Sequence, residues 1–325
     1  MRDNYGRIIS YMRISVTDRC NLRCRYCMPE SGIKKLEHSR ILSFEDIIAI
    51  AEAASDLGIN KIRLTGGEPL IRRNITGLVS QLAGLPGIDE VTLTTNGTLF
   101  AGMAKDLHLG GLKRVNFSLD SLSAQKYEYI TRGGRLEDAW QGILAAMEVG
   151  MHPVKINTVI IKGFNDDEIL DFADLAYRYP LQIRFIEFMP VGDLLFWDDS
   201  KVISIKEVKS VLSEHYNLVP TAQIGNGPAE CFRLEGGQGG IGFISPLSNH
   251  FCSKCNRIRL TAEGKLRNCL YDYHETDLKA ALVKGISREE LCQLLAQAIS
   301  RKPERHHMQA GWGKANNRKM YQIGG

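Results

Sequence analysis

The sequence predicts an α/β fold: a partial (βα)6 barrel of the TIM-like kind, with a smaller C-terminal α+β domain covering its open end. Three observations carry this. Short apolar strands and amphipathic helices alternate six times, which implies parallel strands with helices outside. Six units fall short of a closed (βα)8 barrel, so the gap needs a cover. Beyond residues 220–228, a Pro- and Gly-containing linker, the pattern changes to short β stretches and two helices. The expected division is therefore 1–220 and 221–325.

In order along the chain, Arg13 to Val16 is β-branched and alternating, a first strand. A helix follows from about Leu42 to Leu57, with Ser43 as N-cap, Glu45 and Asp46 in its first turn and Gly58 as its stop. Strands are expected at Lys61–Thr65, Val91–Thr94, Arg114–Ser118, Val154–Ile160 and Gln182–Glu187. Helices are expected at 76–85, 100–109, 123–130, 135–149 and 167–178. Ser204 and Glu207 form a capping box opening a helix to about His215, and Ser287 with Glu290 does the same for a helix to about Ser300. Between them lie β stretches near 230–234, 240–245 and 257–270, the last a hairpin around Glu263-Gly264, and a helix near 277–284.

The net charge of +4 is too small for a nucleic-acid platform, though it suits an anionic small molecule if the cations converge. No stretch reaches the roughly 20 apolar residues of a membrane span. The polar N-terminus lacks an apolar signal core, so a reducing cytoplasm is expected, where clustered cysteines are ligands more often than disulfides.

Cys20, Cys24 and Cys27 stand in a C-x3-C-x2-C spacing directly after the first strand, with Tyr26 before the third cysteine. Three thiolates so close can hold three corners of a cubane iron–sulfur cluster and leave the fourth iron open for chemistry. A zinc knuckle would need a fourth ligand that this stretch lacks. Strand two ends in Gly66-Gly67-Glu68-Pro69, where glycines permit close backbone approach and Glu68 can accept from an ammonium group. A second set, Cys252, Cys255 and Cys269, admits either another open cluster or a zinc site completed by His250 or His274. Arg257 and Arg259 share one face of the strand between them, which suits a polyphosphate. Cys231 and Cys292 read as buried small hydrophobes. Gly237-x-Gly239-x-x-Gly242 matches a dinucleotide fingerprint but precedes a strand, so it is discounted.

Together, the first cysteine set, Arg63 to Leu70, Thr94 to Gly97, Asn116 to Asp120, the Cys252–Arg259 stretch, Cys269 and the terminal Gly324-Gly325 resemble the GTP 3′,8-cyclases of molybdenum-cofactor biosynthesis, within the radical S-adenosylmethionine (SAM) superfamily. The resemblance implies a radical SAM barrel and a lyase carrying two [4Fe-4S] clusters, one on each cysteine set. It implies that the first cluster cleaves SAM, and that the second binds the guanine of GTP. The radical then takes hydrogen from the ribose C3′, and that carbon attacks C8. It places SAM on Tyr26, Gly67, Ser118 and Met189. It places GTP on Arg13, Arg63, Thr94, Lys155, Arg257, Ile258 and Arg259. Cys20, Cys24, Cys27, Arg257 and Arg259 are the implied catalytic residues, and the Gly-Gly tail is expected to reach the active site. The implied partners are an external electron donor and a downstream cyclic pyranopterin monophosphate synthase, with no nucleic acid and no membrane. The chain itself is expected as monomer or homodimer.

Overall fold

The computed structural model describes residues 1–33, 36–191, 195–222, 227–306 and 318–324. Six strands, β1 (Tyr11–Ser15), β2 (Lys61–Thr65), β3 (Glu90–Thr95), β4 (Leu112–Ser118), β5 (Val154–Ile160) and β6 (Leu181–Glu187), pair in sequence order and all in parallel. The helices between them are α1 (Phe44–Asp56), α2 (Ile75–Ala83), α3 (Ala104–Leu109), α4 (Ala124–Thr131), α5 (Leu136–Glu148) and α6 (Ile169–Arg178). This is the partial barrel expected.

The C-terminal strands extend both edges of that sheet. After α7 (Ile205–Ser213), the strands β7 (Leu218–Pro220), β8 (Glu230–Leu234) and β9 (Gly240–Ile244) continue it beyond β6. Beyond β1 come β10 (Arg257–Leu260), β11 (Lys265–Arg267) and β12 (Thr276–Asp277). The result is one twelve-stranded sheet, β12-β11-β10-β1-β2-β3-β4-β5-β6-β9-β8-β7. β9 and β10 both run parallel to the barrel strands they join. The remaining helices are α8 (Leu278–Val283), α9 (Arg288–Ser300) and the short α10 (Met320–Ile323). Arg288 of α9 reaches Asp56 of α1 at 2.7 Å, tying the two parts on the outside.

Strand alternation divides the residues into two faces. Met12, Ile14, Ile62, Leu64, Leu93, Val115, Phe117, Ile156, Ile183 and Phe185 point outward under the helices and are buried in the core. Each contributes about 1.5–3 kcal/mol by leaving water. The opposite, inward face is polar on nearly every strand, unlike the packed interior of an ordinary closed barrel. The capping boxes at Ser43, Ser204 and Ser287 all form, each serine accepting from the N3 amide; such a cap contributes about 1 kcal/mol.

Two smaller readings resolve differently. The Gly239 stretch serves packing: a Cβ there would lie 2.1 Å from Leu181 O, so glycine lets the turn before β9 close onto β6. Cys231 and Cys292 are only half-buried, because one sits on β8 near the sheet edge and the other on the outer helix α9. Residues 223–226 of the expected linker lie outside the described residues, while Pro220 ends β7.

Candidate active site

The inward face lines a chamber of about 360 Å³. Its two ends are set by strand direction. Cys20, Cys24 and Cys27 follow β1 and sit at the carboxyl ends of the barrel strands. Cys252 and Cys255 precede β10, which runs parallel to β1, and Cys269 follows the antiparallel β11. The second set therefore lies at the amino ends. Both sets face the same chamber, separated by the length of the strands, roughly 15 Å at about 3.3 Å per residue.

The first loop is held by backbone. Arg23 N and Arg25 N donate to Thr131 O and Ile130 O at the end of α4, and Arg132 Nη1 donates to the carbonyls of Arg23 and Met28 at 2.9 and 2.8 Å. On its other side the loop meets the Gly-Gly turn. Gly67 N donates to Thr17 O and Glu68 N to Arg19 O, both at 2.8 Å. A Cβ on Gly66 would lie 2.7 Å from Thr17 O, and one on Gly67 2.2 Å from Arg19 O. The glycines thus allow close approach to the cysteine loop itself. Glu68 is buried and accepts from Leu70 N, Thr95 Oγ1 and Asn96 N at 3.0, 2.8 and 2.8 Å, bracing the ends of β2 and β3. Burial raises it to about 7 despite those donors. Tyr26 Oη donates to Asp120 Oδ2 at 2.6 Å, and burial lifts Asp120 to about 6.

The donor chemistry fits a cluster at each end. Burial pushes Cys20 up to about 11, Cys24 well up, and Cys27 up to about 12; Cys24 and Cys27 are raised further by neighbouring thiols of the set. Three such thiolates need a cationic group among them, which ligation supplies. Cys20 Sγ already accepts from Leu22 N at 3.3 Å, and a backbone N–H of Tyr321 serves Cys27. At the other end, burial opposes the Cys255 thiolate, but Arg257 and Lys302 outweigh it and bring it to about 6. His250 Nδ1 is engaged with Pro246 O and His306, both at 2.9 Å, while the His274 side chain is 77% exposed beside Asp272. This geometry suits a cubane, which spreads its thiolates over several irons, better than tetrahedral zinc.

Between the ends runs a wall of cations. The register pairs Arg259 with Arg13 and Arg13 with Arg63, a row of three arginines across β10, β1 and β2. Like charges directly opposite one another destabilise a sheet unless something anionic lies over them. Burial, then mutual repulsion, depresses Arg13 strongly and brings Arg259 to about 10. Lys155 falls to about 6 through burial and the nearby Arg184, Arg114 and Arg63. Asn116 Oδ1 and Asn157 Oδ1 also face this space, buried without a hydrogen-bond partner among the described residues.

Of the residues named from sequence, Arg13, Arg63, Thr94, Lys155, Arg257, Arg259, Tyr26, Gly67, Ser118, Met189 and all six cysteines line this chamber. Ile258 does not: its side chain is fully buried in the core, because a strand that turns 257 and 259 inward turns 258 outward. Any contact from that position has to come from its main chain. Sequence reading missed Arg184, Lys61 and Arg114 on the wall. Their signal was phase: each lies on a barrel strand at an inward position, and Arg184 is a lone cation in an apolar run. Glu90 partly balances Arg114 and Lys61. Gly324 is buried against Thr65, and its carbonyl accepts from Arg259 Nη1. Gly325 lies outside the described residues.

An open parallel barrel with a three-cysteine loop facing its chamber at the carboxyl end of β1 and a Gly-Gly-Glu turn beside it defines the radical SAM class. The radical SAM superfamily matches residues 14–176 and the Molybdenum Cofactor Synthesis C family matches 181–308. A crystal structure of Streptococcus suis SuiB bound to S-adenosylmethionine shares the fold, with a TM-score of 0.60 at 14% identity, over 85% of this chain and 65% of that one. Full-length similarity is more specific. GTP 3′,8-cyclases of Syntrophomonas wolfei, Pelotomaculum thermopropionicum and Moorella thermoacetica are 60%, 52% and 52% identical, each over 100% of both chains. The chain belongs to the GTP 3′,8-cyclase family.

Proposed function

We infer that this chain cyclises GTP to (8S)-3′,8-cyclo-7,8-dihydroguanosine 5′-triphosphate, the first step of molybdenum-cofactor biosynthesis, using SAM and two [4Fe-4S] clusters. The observation that carries the reading is the in-register row Arg259–Arg13–Arg63 lying between two cysteine triplets at opposite ends of the same strands. When bound, the clusters and SAM supply a carbon radical at one end and a Lewis-acid anchor for guanine at the other.

The chain's own residues position and enclose. Cys20, Cys24 and Cys27 hold the SAM-cleaving cluster, and Cys252, Cys255 and Cys269 the substrate cluster. Tyr26, Gly67, Ser118 and Met189 seat SAM. Arg13, Arg63, Lys155, Arg257 and Arg259, with Arg184 added, hold the triphosphate, and Thr94 flanks it. Guanidinium forks suit phosphate oxygens. An external electron donor, a downstream cyclic pyranopterin monophosphate synthase, a monomer or homodimer, and a cytoplasmic setting complete the reading. The division at 220/221 is kept as its domain organisation. In support of solution chemistry away from a bilayer, no described helix is long and apolar enough to cross a membrane.

The direct test is anaerobic incubation with SAM, reductant and each nucleoside triphosphate in turn. GTP alone should give 5′-deoxyadenosine together with the cyclised triphosphate; equal yield with ATP would overturn the assignment. Arg257→Ala should weaken GTP binding by about tenfold or more, as loss of a charge-assisted contact implies. Unchanged affinity would move the phosphate site elsewhere.

Lys155 gives a pH signature. It is largely neutral above pH 6 in the free protein, its pKa having been lowered by burial and by neighbouring cations. A polyanion beside it raises that pKa, so binding takes up a proton, and affinity through this group increases as pH falls from alkaline values towards 6. Calorimetry at pH 7.5 in buffers of different ionisation enthalpy should show proton uptake that Lys155→Met removes. Equal uptake in both proteins would refute this.

A further inference from the structure

The C-terminal segment from residue 318 to 324, whose middle is the single-turn α10, enters the chamber. Met320 and Tyr321 line the wall, and Ile323 is fully buried against Val191 with Met189, Leu270 and Tyr271 around it. One backbone N–H of this segment serves Cys27 at one end of the chamber, and Gly324 O takes a bond from Arg259 of the arginine row. The segment therefore touches both halves of the site at once.

At its root is Arg318. Its Nε and Nη2 meet the two oxygens of Glu275 at 2.5 and 2.8 Å, a bidentate fork, and Nη1 meets Glu263 Oε2 at 2.7 Å. Glu263 lies in the β10–β11 turn, and Glu275 immediately precedes β12, so both belong to the sheet edge that carries Arg257, Arg259 and Cys269. Arg267 of β11, 1% exposed at its side chain, bonds Glu275 at 2.8 Å, and Arg40 bonds Glu263 at 2.5 Å. Both carboxylates are thus held from two sides. The Arg318 side chain is only 16% exposed, which places this group among shielded, multiply bonded pairs rather than surface ones.

We propose that Arg318 is a positioning residue: clamped by Glu263 and Glu275, it latches the C-terminal segment to the β10–β12 edge and so sets where that segment lies between the two cysteine sets. Arg318 does not itself line the chamber. Without the fork the segment retains its apolar anchor at Ile323 but loses the charged one at Arg318, and the chamber opens to water and to exchange of the tail.

The test compares the full-length holoprotein with Arg318→Met, Arg318→Lys and Glu275→Gln. Carboxypeptidase trimming is followed by intact mass, with thermal melting measured in parallel. Arg318→Met should lose residues up to 319 at least about tenfold faster than wild type, as loss of charge-assisted bonds implies, while the melting temperature stays within a few degrees. Arg318→Lys, which keeps the charge without the fork, should fall between, and Glu275→Gln should trim faster than wild type. Trimming at the wild-type rate, or faster trimming only alongside a large fall in melting temperature, overturns the latch. The activity arm rests on the GTP reading: product formation should fall at least about tenfold in Arg318→Met with SAM affinity little changed. Faster trimming with undiminished turnover overturns the positioning role. Absence of GTP turnover in wild type would instead overturn the GTP reading, and the trimming result would still decide the latch.

Discussion

Cys24→Ala should abolish SAM cleavage, a fall of at least about 1,000-fold in 5′-deoxyadenosine release, while GTP affinity stays within about threefold. Cys24 is enclosed within its set: burial pushes its thiol well up, and Cys27, Asp120 and Cys20 push it further. Two thiolates cannot hold three irons, so the cluster is lost rather than weakened. The arginine row is fixed by β-register and crosses three strands at mid-length, before the strand ends that carry the Cys24 loop, so the nucleotide contacts should not feel the change. Product analysis by chromatography and GTP titration by calorimetry check the two halves separately. Retained cleavage would remove the first-cluster assignment, and collapse of GTP binding would show that the two ends are not independent.

Gly67→Ala should have the next largest effect: SAM cleavage down at least about 100-fold and stability lower by about 1–3 kcal/mol. The added carbon would lie 2.2 Å from Arg19 O, 2.5 Å from Arg19 C and 2.9 Å from Asp18 O. All three are main-chain atoms of the loop leading into Cys20, so no side-chain rotation relieves the contact. Relief requires the two loops to separate, breaking the 2.8 Å bonds from Gly67 N and Glu68 N. Gly102→Ala is the control, since nothing lies within 4 Å of its Cβ position, and it should leave both quantities unchanged. Denaturant unfolding and the deoxyadenosine assay distinguish these outcomes; an active, stable Gly67→Ala protein would mean the loops tolerate separation.

Much of this architecture is legible in local sequence. The bounds expected for β2 and β5 coincide with the strands observed, because each is an alternating stretch with glycine or proline next to it. The serine caps also read directly, since capping is decided within four residues. What sequence leaves dark depends on distant partners. Sequence offers Glu68 as a ligand acceptor, yet most of its capacity goes to Leu70, Thr95 and Asn96, a role visible only once β3 lies beside β2. Glu187, the last residue of an expected strand, accepts from Ile205, Leu247 and Ser248 and so anchors the loop leading to Cys252. Arg184 became part of the cation wall only through the closure that brings β5 and β9 to either side of β6. Ile258 is the opposite case: strand alternation already excluded its side chain, and the resemblance overrode that simple rule.

The central claim, that each cysteine triplet holds its own cubane and leaves one iron open, is tested most directly by metal analysis after anaerobic reconstitution. The account predicts about eight irons and about eight acid-labile sulfides per chain, with no zinc. Cys24→Ala should then retain about half of each. Four irons accompanied by one zinc would contradict it, leaving the second triplet as a structural metal site and the guanine end of the chamber without its anchor.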